Sequence, residues 1–138
     1  MKIFTKLFLA GIVISAFACT KPIENPPNEI TLNGDWHIKN VSGGLIGLNL
    51  DYNPGEVIWK FNLPTGKLDV TNNIISTGPK SIYARYQTGT YDYYISSLNS
   101  LDQLYVDSAN IGTISIGISA LSLDDGIDAD GFLTVFEK

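Results

Sequence analysis

Short runs of alternating apolar and polar residues constrain the fold of this 138-residue chain more than any other feature. In one of them, Trp59 and Phe61 alternate with Lys60 and Asn62. Because successive side chains of a strand point to opposite faces, this period of two is typical of half-buried β-strands. The runs lie at residues 36–38, 57–63, 68–70, 82–86, 91–95, 104–106, 114–118, 121–123 and 132–136. They predict about eight short strands and no helix longer than a turn or two.

The spacing of these runs also limits how the strands can be arranged. As an open antiparallel sheet, so many short strands would leave two unpaired edges, and closure into a barrel removes them. The sequence therefore predicts an all-β fold, a small closed antiparallel barrel of about eight strands. A sandwich of two sheets is the alternative. Residues 31–138 form this single domain.

The first 18 residues have the features of an export signal. Lys2 and Lys6 precede a short apolar segment, which ends in the small residues Ala16 and Ala18. Cys19, the only cysteine, follows directly and excludes a disulfide within the chain. The stretch resembles the bacterial lipobox, and this resemblance implies cleavage before Cys19 and lipid attachment to its thiol. The alternative is a secreted protein with an unpaired thiol.

The residue after the cysteine and the following segment extend this prediction. In lipoproteins an aspartate after the cysteine commonly retains the product in the inner membrane, so Thr20 favours the outer membrane. Residues 19–30 include three prolines and no periodicity, which indicates a semi-rigid tether. Removal of residues 1–18 leaves 7 basic and 14 acidic residues, a net charge of −7. Such a charge argues against nucleic acid or an anionic lipid surface as a partner.

No arrangement of residues indicates catalysis. His37 is the only histidine, and its position in an alternating run indicates a solvated strand residue. In the acidic stretch 124–131, Asp128 and Asp130 match ligand positions of a calcium loop that would end at Glu137. The first ligand position lacks an acid, so a solvated turn is the favoured interpretation. We therefore expect a protein that is not an enzyme, with no catalytic residue, metal or cofactor.

The segment between the first two predicted strands, residues 43–55, is glycine-rich and apolar. Connecting loops are usually short and polar, so the segment is a candidate functional site. Leu45, Ile46 and Leu48 either fold back to plug one mouth of the barrel or insert into a partner as a binding loop.

Several short motifs resemble known families. Gly34-Asp35-Trp36 resembles the Gly-x-Trp signature of lipocalins, whose tryptophan packs across the barrel floor. The stretches 55–61, 88–91 and 130–132 resemble small lipocalin-like lipoproteins of Gram-negative bacteria. The resemblance implies a lipocalin-like or OB-like barrel and, as one function, transport of a small apolar ligand.

The size, the anchor and the β-rich architecture also resemble the potempins, outer-membrane lipoproteins that inhibit secreted peptidases. This resemblance implies a protein partner, an extracellular peptidase, held by loops at the barrel rim. The bulky inward-facing residues, among them Trp36, Trp59 and Phe61, would fill a barrel of such short strands. Protein binding is therefore favoured over carriage of a ligand.

Overall fold

A computed structural model describes residues 31–138, so the predicted signal, Cys19 and the tether lie outside the described residues. Nine strands are present: β1 Gly34–Gly43, β2 Leu48–Asp51, β3 Val57–Asn62, β4 Lys67–Asn72, β5 Gly89–Leu98, β6 Leu101–Val106, β7 Ala109–Ile116, β8 Ala120–Asp125 and β9 Phe132–Glu137. They are joined by one short helix, α1 Pro79–Tyr83, and a 3₁₀ turn, Ile127–Ala129. Within this described part, no helix has the length and apolar character needed to cross a membrane.

Eight of the strands form a closed antiparallel barrel. Strands β1 and β3 to β9 are neighbours in that order, and β9 pairs back with β1. Each ladder is antiparallel, as expected for strands joined by tight turns. The predicted all-β barrel of about eight strands is thus confirmed, and the alternative sandwich is wrong.

The ninth strand, β2, lies outside this closed circle. One edge of β1 pairs first with β3, from Gly34 to His37, and then with β2, from Asn40 to Gly43. Strand β2 therefore continues the line of β3 along the same edge of β1. Of the strands in residues 31–138, β2 alone has a single neighbour. Its other edge is the free edge of the sheet.

The two ends of the barrel differ in what covers them. At the lower end, Thr31 leads into β1, and the β3–β4, β5–β6 and β7–β8 turns are found there. The upper end carries the β1–β2, β6–β7 and β8–β9 connections, and the segment 73–88 with α1 packs there. Because β1 runs from one end to the other, Thr31 and the β1–β2 turn lie at opposite ends.

The alternating apolar residues fill the interior. Trp36 and Trp59 are buried as predicted, and Trp59 packs at tilted or edge-on angles against three aromatic rings whose centres lie 5.1–6.2 Å away. At the lower end the Trp36 indole N–H donates to the Leu32 carbonyl at 2.8 Å, and the Lys138 ammonium lies over its ring. The largest fully buried side chains are Trp36, Trp59, Phe61, Phe136, Ile38, Leu68, Leu104, Leu121 and Leu123.

Two details of the predicted strand pattern are wrong. Residues 82–86 are not a strand: α1 occupies Pro79–Tyr83, with the proline in its first turn, where its missing N–H costs nothing. Leu63 and Ile118, the last members of their alternating runs, are exposed in turns. At Leu63 and at Ile118, the alternating run extends past the end of the strand that it predicts.

Candidate functional site

The predicted loop of residues 43–55 is in fact a hairpin followed by a short connection. Strands β1 and β2 pair from Asn40–Asp51 to Gly43–Leu48, and residues 44–47 form the turn. The Gly47 N–H donates to the Gly44 carbonyl at 3.0 Å. Both glycines have φ near +70°, a conformation that L side chains rarely adopt, so this tight turn depends on them.

The tip of this hairpin exposes two aliphatic side chains to solvent. Leu45 is 84% exposed and Ile46 is 82% exposed, whereas Leu48 at the start of β2 is half-buried. Leu45 and Ile46 therefore do not plug a mouth of the barrel. The three residues predicted as one site divide into two exposed tip residues and one residue at the base of the hairpin.

The base of the hairpin is fixed against β9. The Gly44 N–H donates to the Gly131 carbonyl at 2.8 Å, and Gly44 packs against the ring of Phe132. A Cβ on Gly43 would collide with the Gly131 carbonyl oxygen, so the two segments approach as closely as backbone allows. The exposed tip is therefore carried on a rigid support.

Tyr52, in the connection from β2 to β3, helps to close the upper end of the barrel. This buried side chain donates its hydroxyl hydrogen to the Lys80 carbonyl of α1 at 2.9 Å. Burial, with a smaller contribution from the charge of Glu56, raises the pKa of Tyr52 to about 12. Tyr52 thus belongs to the buried core next to α1, whereas Leu45 and Ile46 lie in solvent.

A half-buried ion pair joins the same connection to α1. Glu56 accepts a hydrogen bond from the Lys80 ammonium at 2.8 Å and another from the Asn53 N–H at 2.8 Å. The bond from Lys80 and then that from Asn53 lower the pKa of Glu56, which therefore stays charged at neutral pH. This pair holds the connection that follows β2 against α1.

A small cleft opens beside the hairpin at the upper end. Its volume is about 90 Å³, and its lining consists of Val41, Ile82, Tyr83, Arg85, Phe132 and Thr134. The Arg85 guanidinium donates to the Ile111 carbonyl at 3.1 Å and to the Asp125 carboxylate at 2.8 Å. Small-molecule pockets usually measure at least about 300 Å³, so this cleft is too small for a typical ligand.

His37 and the acidic stretch have structural roles. His37 is half-buried rather than solvated, and its Nδ1 accepts a hydrogen bond from the Gly55 N–H at 3.0 Å. The Asp124 carboxylate accepts from two backbone N–H groups of the turn that follows it. Glu137 lies in β9 and pairs with Lys39, away from a calcium-loop arrangement. Residues 31–138 contain no group of three acidic, histidine or cysteine side chains that could hold a metal.

Two further exposed aliphatic residues lie at the upper end and were missed from the sequence. Ile82 of α1 lines the cleft, and Ile75 lies in the segment after β4. The spacing of Ile82, Ala84 and Tyr86 at every second position predicts a strand and therefore gives no sign that Ile82 is exposed. Its place two residues after a Gly-Pro-Lys start of a helix was the signal that could have placed it outside.

Comparison with protein-family models, with curated proteins and with solved structures finds no match to this chain. The geometry of the barrel and of its exposed hairpin is therefore the basis for a functional proposal.

Proposed function

We propose that this chain is a non-enzymatic binding module, anchored in the outer membrane by a lipid on Cys19, that inhibits secreted peptidases through the β1–β2 hairpin. The observation that carries the proposal is the exposure of Leu45 and Ile46 at the tip of a rigid hairpin. Adjacent exposed aliphatic residues are unfavourable in water, and they become favourable when a partner's pockets remove them from solvent.

The free edge of β2 supports a partner that binds in extended conformation. Strand β2 has no second neighbour among the described strands, so one row of its backbone N–H and C=O groups faces outwards. An extended segment that adds to a sheet edge gains main-chain hydrogen bonds, and its side chains supply specificity. A peptidase cleft holds its substrates in this extended form, so β2 and the tip offer both kinds of contact.

The position of the hairpin relative to the tether supports the same function. Strand β1 has ten residues and spans about 30 Å from the lower to the upper end. Residues 19–30 join the domain at the lower end, through Thr31. An anchored barrel of this shape presents Leu45 and Ile46 at the end opposite its attachment, where they are accessible to a soluble protein.

The filled interior disfavours the alternative, a carrier of a small apolar ligand. Trp36, Trp59, Phe61 and Phe136 occupy the barrel with almost no exposure to solvent. The cleft at the upper end, about 90 Å³, is well below the roughly 300 Å³ of a ligand pocket, and a larger cleft of about 420 Å³ at the lower end is an open groove between the β5–β6 turn and β7. A carrier would need these aromatic side chains to leave the core, at a cost of several kcal/mol each.

An inhibition assay tests the proposal. The chain from Cys19 onwards, with Cys19→Ser to keep it in solution, is titrated against peptidases of each class secreted by the same cell. We expect inhibition of at least one peptidase and a stable complex on size-exclusion chromatography. If no class of peptidase is inhibited and an apolar ligand is extracted from the purified protein, the carrier function would be supported instead.

A second assay addresses the anchor separately. Cells that express the wild-type chain should incorporate radiolabelled palmitate into it and retain it in the membrane fraction. Cys19→Ser should abolish both the label and the retention. Unchanged labelling of Cys19→Ser would refute the anchor and leave the inhibition result standing.

A further inference from the structure

At the lower end of the barrel, the β5–β6 hairpin extends past the start of β4 on one side and separates from β7 on the other. Strand β4 pairs with β5 only as far as Asp92, and β7 pairs with β6 only from Gln103. Residues 94–98 of β5 therefore pair only with β6, and Leu101 and Asp102 of β6 pair only with β5. We call residues 94–105 the projecting hairpin. A cleft of about 420 Å³ separates its free end from β7.

The outer face of the projecting hairpin is apolar at its tip and aromatic above it. Leu98 and Leu101 pair directly next to the turn and are 58% and 54% exposed. Four residues from the tip on each strand, Tyr94 and Tyr105 stack with their ring centres 4.6 Å apart. Between them on this face lie only a serine and a glutamine, so the face carries no charge.

The turn holds this face in one orientation. Asn99 and Ser100, the two turn residues, both have positive φ, of 52° and 67°. This is the geometry of a two-residue turn whose twist matches that of the paired strands. On the opposite face the Ser97 hydroxyl donates to the Asp102 carboxylate at 2.5 Å. Asp102, the one charged residue of the hairpin, is thus kept off the apolar face.

The neighbouring turns at the lower end add to the apolar character. Leu63 in the β3–β4 turn and Ile118 in the β7–β8 turn are both about half exposed. Thr31, through which residues 19–30 join the domain, enters the barrel at this same end. The exposed side chains of Leu98, Leu101, Leu63 and Ile118 therefore lie at the end of the barrel from which the predicted tether leaves.

We propose that the projecting hairpin contacts the surface of the bilayer to which the chain is anchored, with Leu98 and Leu101 among the acyl chains and the tyrosine pair at the level of the headgroups. This inference rests on the anchor at Cys19, which is part of the proposed function. Tyrosine concentrates at membrane–water interfaces because its ring is apolar and its hydroxyl is polar. Leucines at the tip gain from leaving water, as on amphipathic elements that lie in the interface.

Two features favour a lipid surface as the occupant. The twelve residues from Cys19 to residue 30 reach at most about 40 Å, so the tether keeps the lower end close to the bilayer. A linked second contact needs little affinity of its own, because the first supplies a high local concentration. The uncharged outer face offers no ion-pair partner that would select a protein surface.

Depth-dependent quenching tests this contact. The chain from Cys19 is coupled by its single thiol to a maleimide phospholipid in phosphatidylcholine–phosphatidylethanolamine vesicles, which supplies the anchor chemically. Leu98→Trp is compared with Leu45→Trp at the upper end, with the buried Trp36 and Trp59 as a common background. We expect brominated phospholipid to quench the Leu98→Trp variant and blue-shift its emission, and to leave Leu45→Trp unchanged.

Equal responses from the two variants would overturn the inference, as would water-like emission from Leu98→Trp on anchored chains. In a second measurement, the quenching of a Tyr94→Trp variant should be lost when Leu98→Ser and Leu101→Ser are added. Persistence of that quenching would also refute the contact. Inhibition is measured on soluble chains, so the two proposals can be refuted separately. Inhibition of peptidases without the quenching signals would refute the membrane contact alone. Quenching signals without inhibition of any peptidase would refute the peptidase proposal alone.

Discussion

Exchange of Leu45 and Ile46 for serine separates binding from folding at the hairpin tip. Both side chains are more than four-fifths exposed, so folding removes under a fifth of their surface from water. Full burial of such a side chain stabilises by about 1.5–3 kcal/mol, so the double exchange should cost roughly 1 kcal/mol or less. For a domain of this size, that cost lowers the melting temperature by no more than about 5 °C.

The effect on inhibition should be much larger. If both side chains are anchors in a peptidase cleft, their loss should weaken the complex by about 2–4 kcal/mol, a rise in the inhibition constant of roughly 30- to 1,000-fold. Ile118→Ser, at the lower end, is the control: Ile118 is 52% exposed, so its exchange should lower stability by a similar amount, roughly 1 kcal/mol, and leave the inhibition constant unchanged. Melting curves and titrations on the same preparations measure both. A fall in melting temperature well beyond this range, or an unchanged inhibition constant, would refute the assignment of the tip as the binding surface.

Three further predictions concern the fold that supports this site. Trp36→Phe should destabilise the protein more than Trp59→Phe in urea unfolding, because the Trp36 N–H donates to Leu32 whereas the buried Trp59 N–H has no partner among the described residues; equal costs would contradict this. Folding raises the pKa of Tyr52 from about 10 in the unfolded chain to about 12. The protonated hydroxyl should therefore stabilise the fold below pH 10, and this stability should be lost between pH 10 and 12. Tyr52→Phe should flatten that dependence on pH while lowering stability at neutral pH. Gly131→Ala should lower the melting temperature, because the new Cβ would collide with the Asp125 carbonyl oxygen, whereas Gly78→Ala, with open space around it, should be tolerated.

Much of the barrel could be predicted because the alternation of apolar and polar residues indicates which face of a strand is buried. Val57, Trp59 and Phe61 are buried in β3, and Leu121 and Leu123 are buried in β8, as their spacing indicates. Alternation fails over short segments, where two or three positions fit a helical turn equally well. The segment containing Ile82 and Ala84 is such a case: tertiary packing buries Ala84 at the C-cap of α1 and leaves Ile82 exposed.

The candidate site was harder to predict because it depends on pairing between distant residues. The sequence marks Leu45 and Ile46, but the choice between a plug and an exposed tip depends on the pairing of β1 with β2, which carries both side chains into solvent. The two-residue turn at Asn99-Ser100 was also missed, since it places residues other than glycine at positive φ. Without that turn, the projecting hairpin and its apolar face could not be recognised from the sequence.

The course of β1 determines how the barrel would respond to a mechanical pull. This strand leads from Thr31 at one end to the turn that carries Leu45 at the other, and it is paired along both edges, with β9 on one side and with β3 and β2 on the other. Antiparallel hydrogen bonds lie perpendicular to the strands. Because both points of attachment lie on β1, a force between the tether and a partner held at the tip would act along this strand and be carried by its extended backbone, whereas a force across the strand would open its hydrogen bonds one after another. Under the proposed function, a bound peptidase that moves away from the membrane would load the backbone of β1 and leave the ladders of the barrel intact.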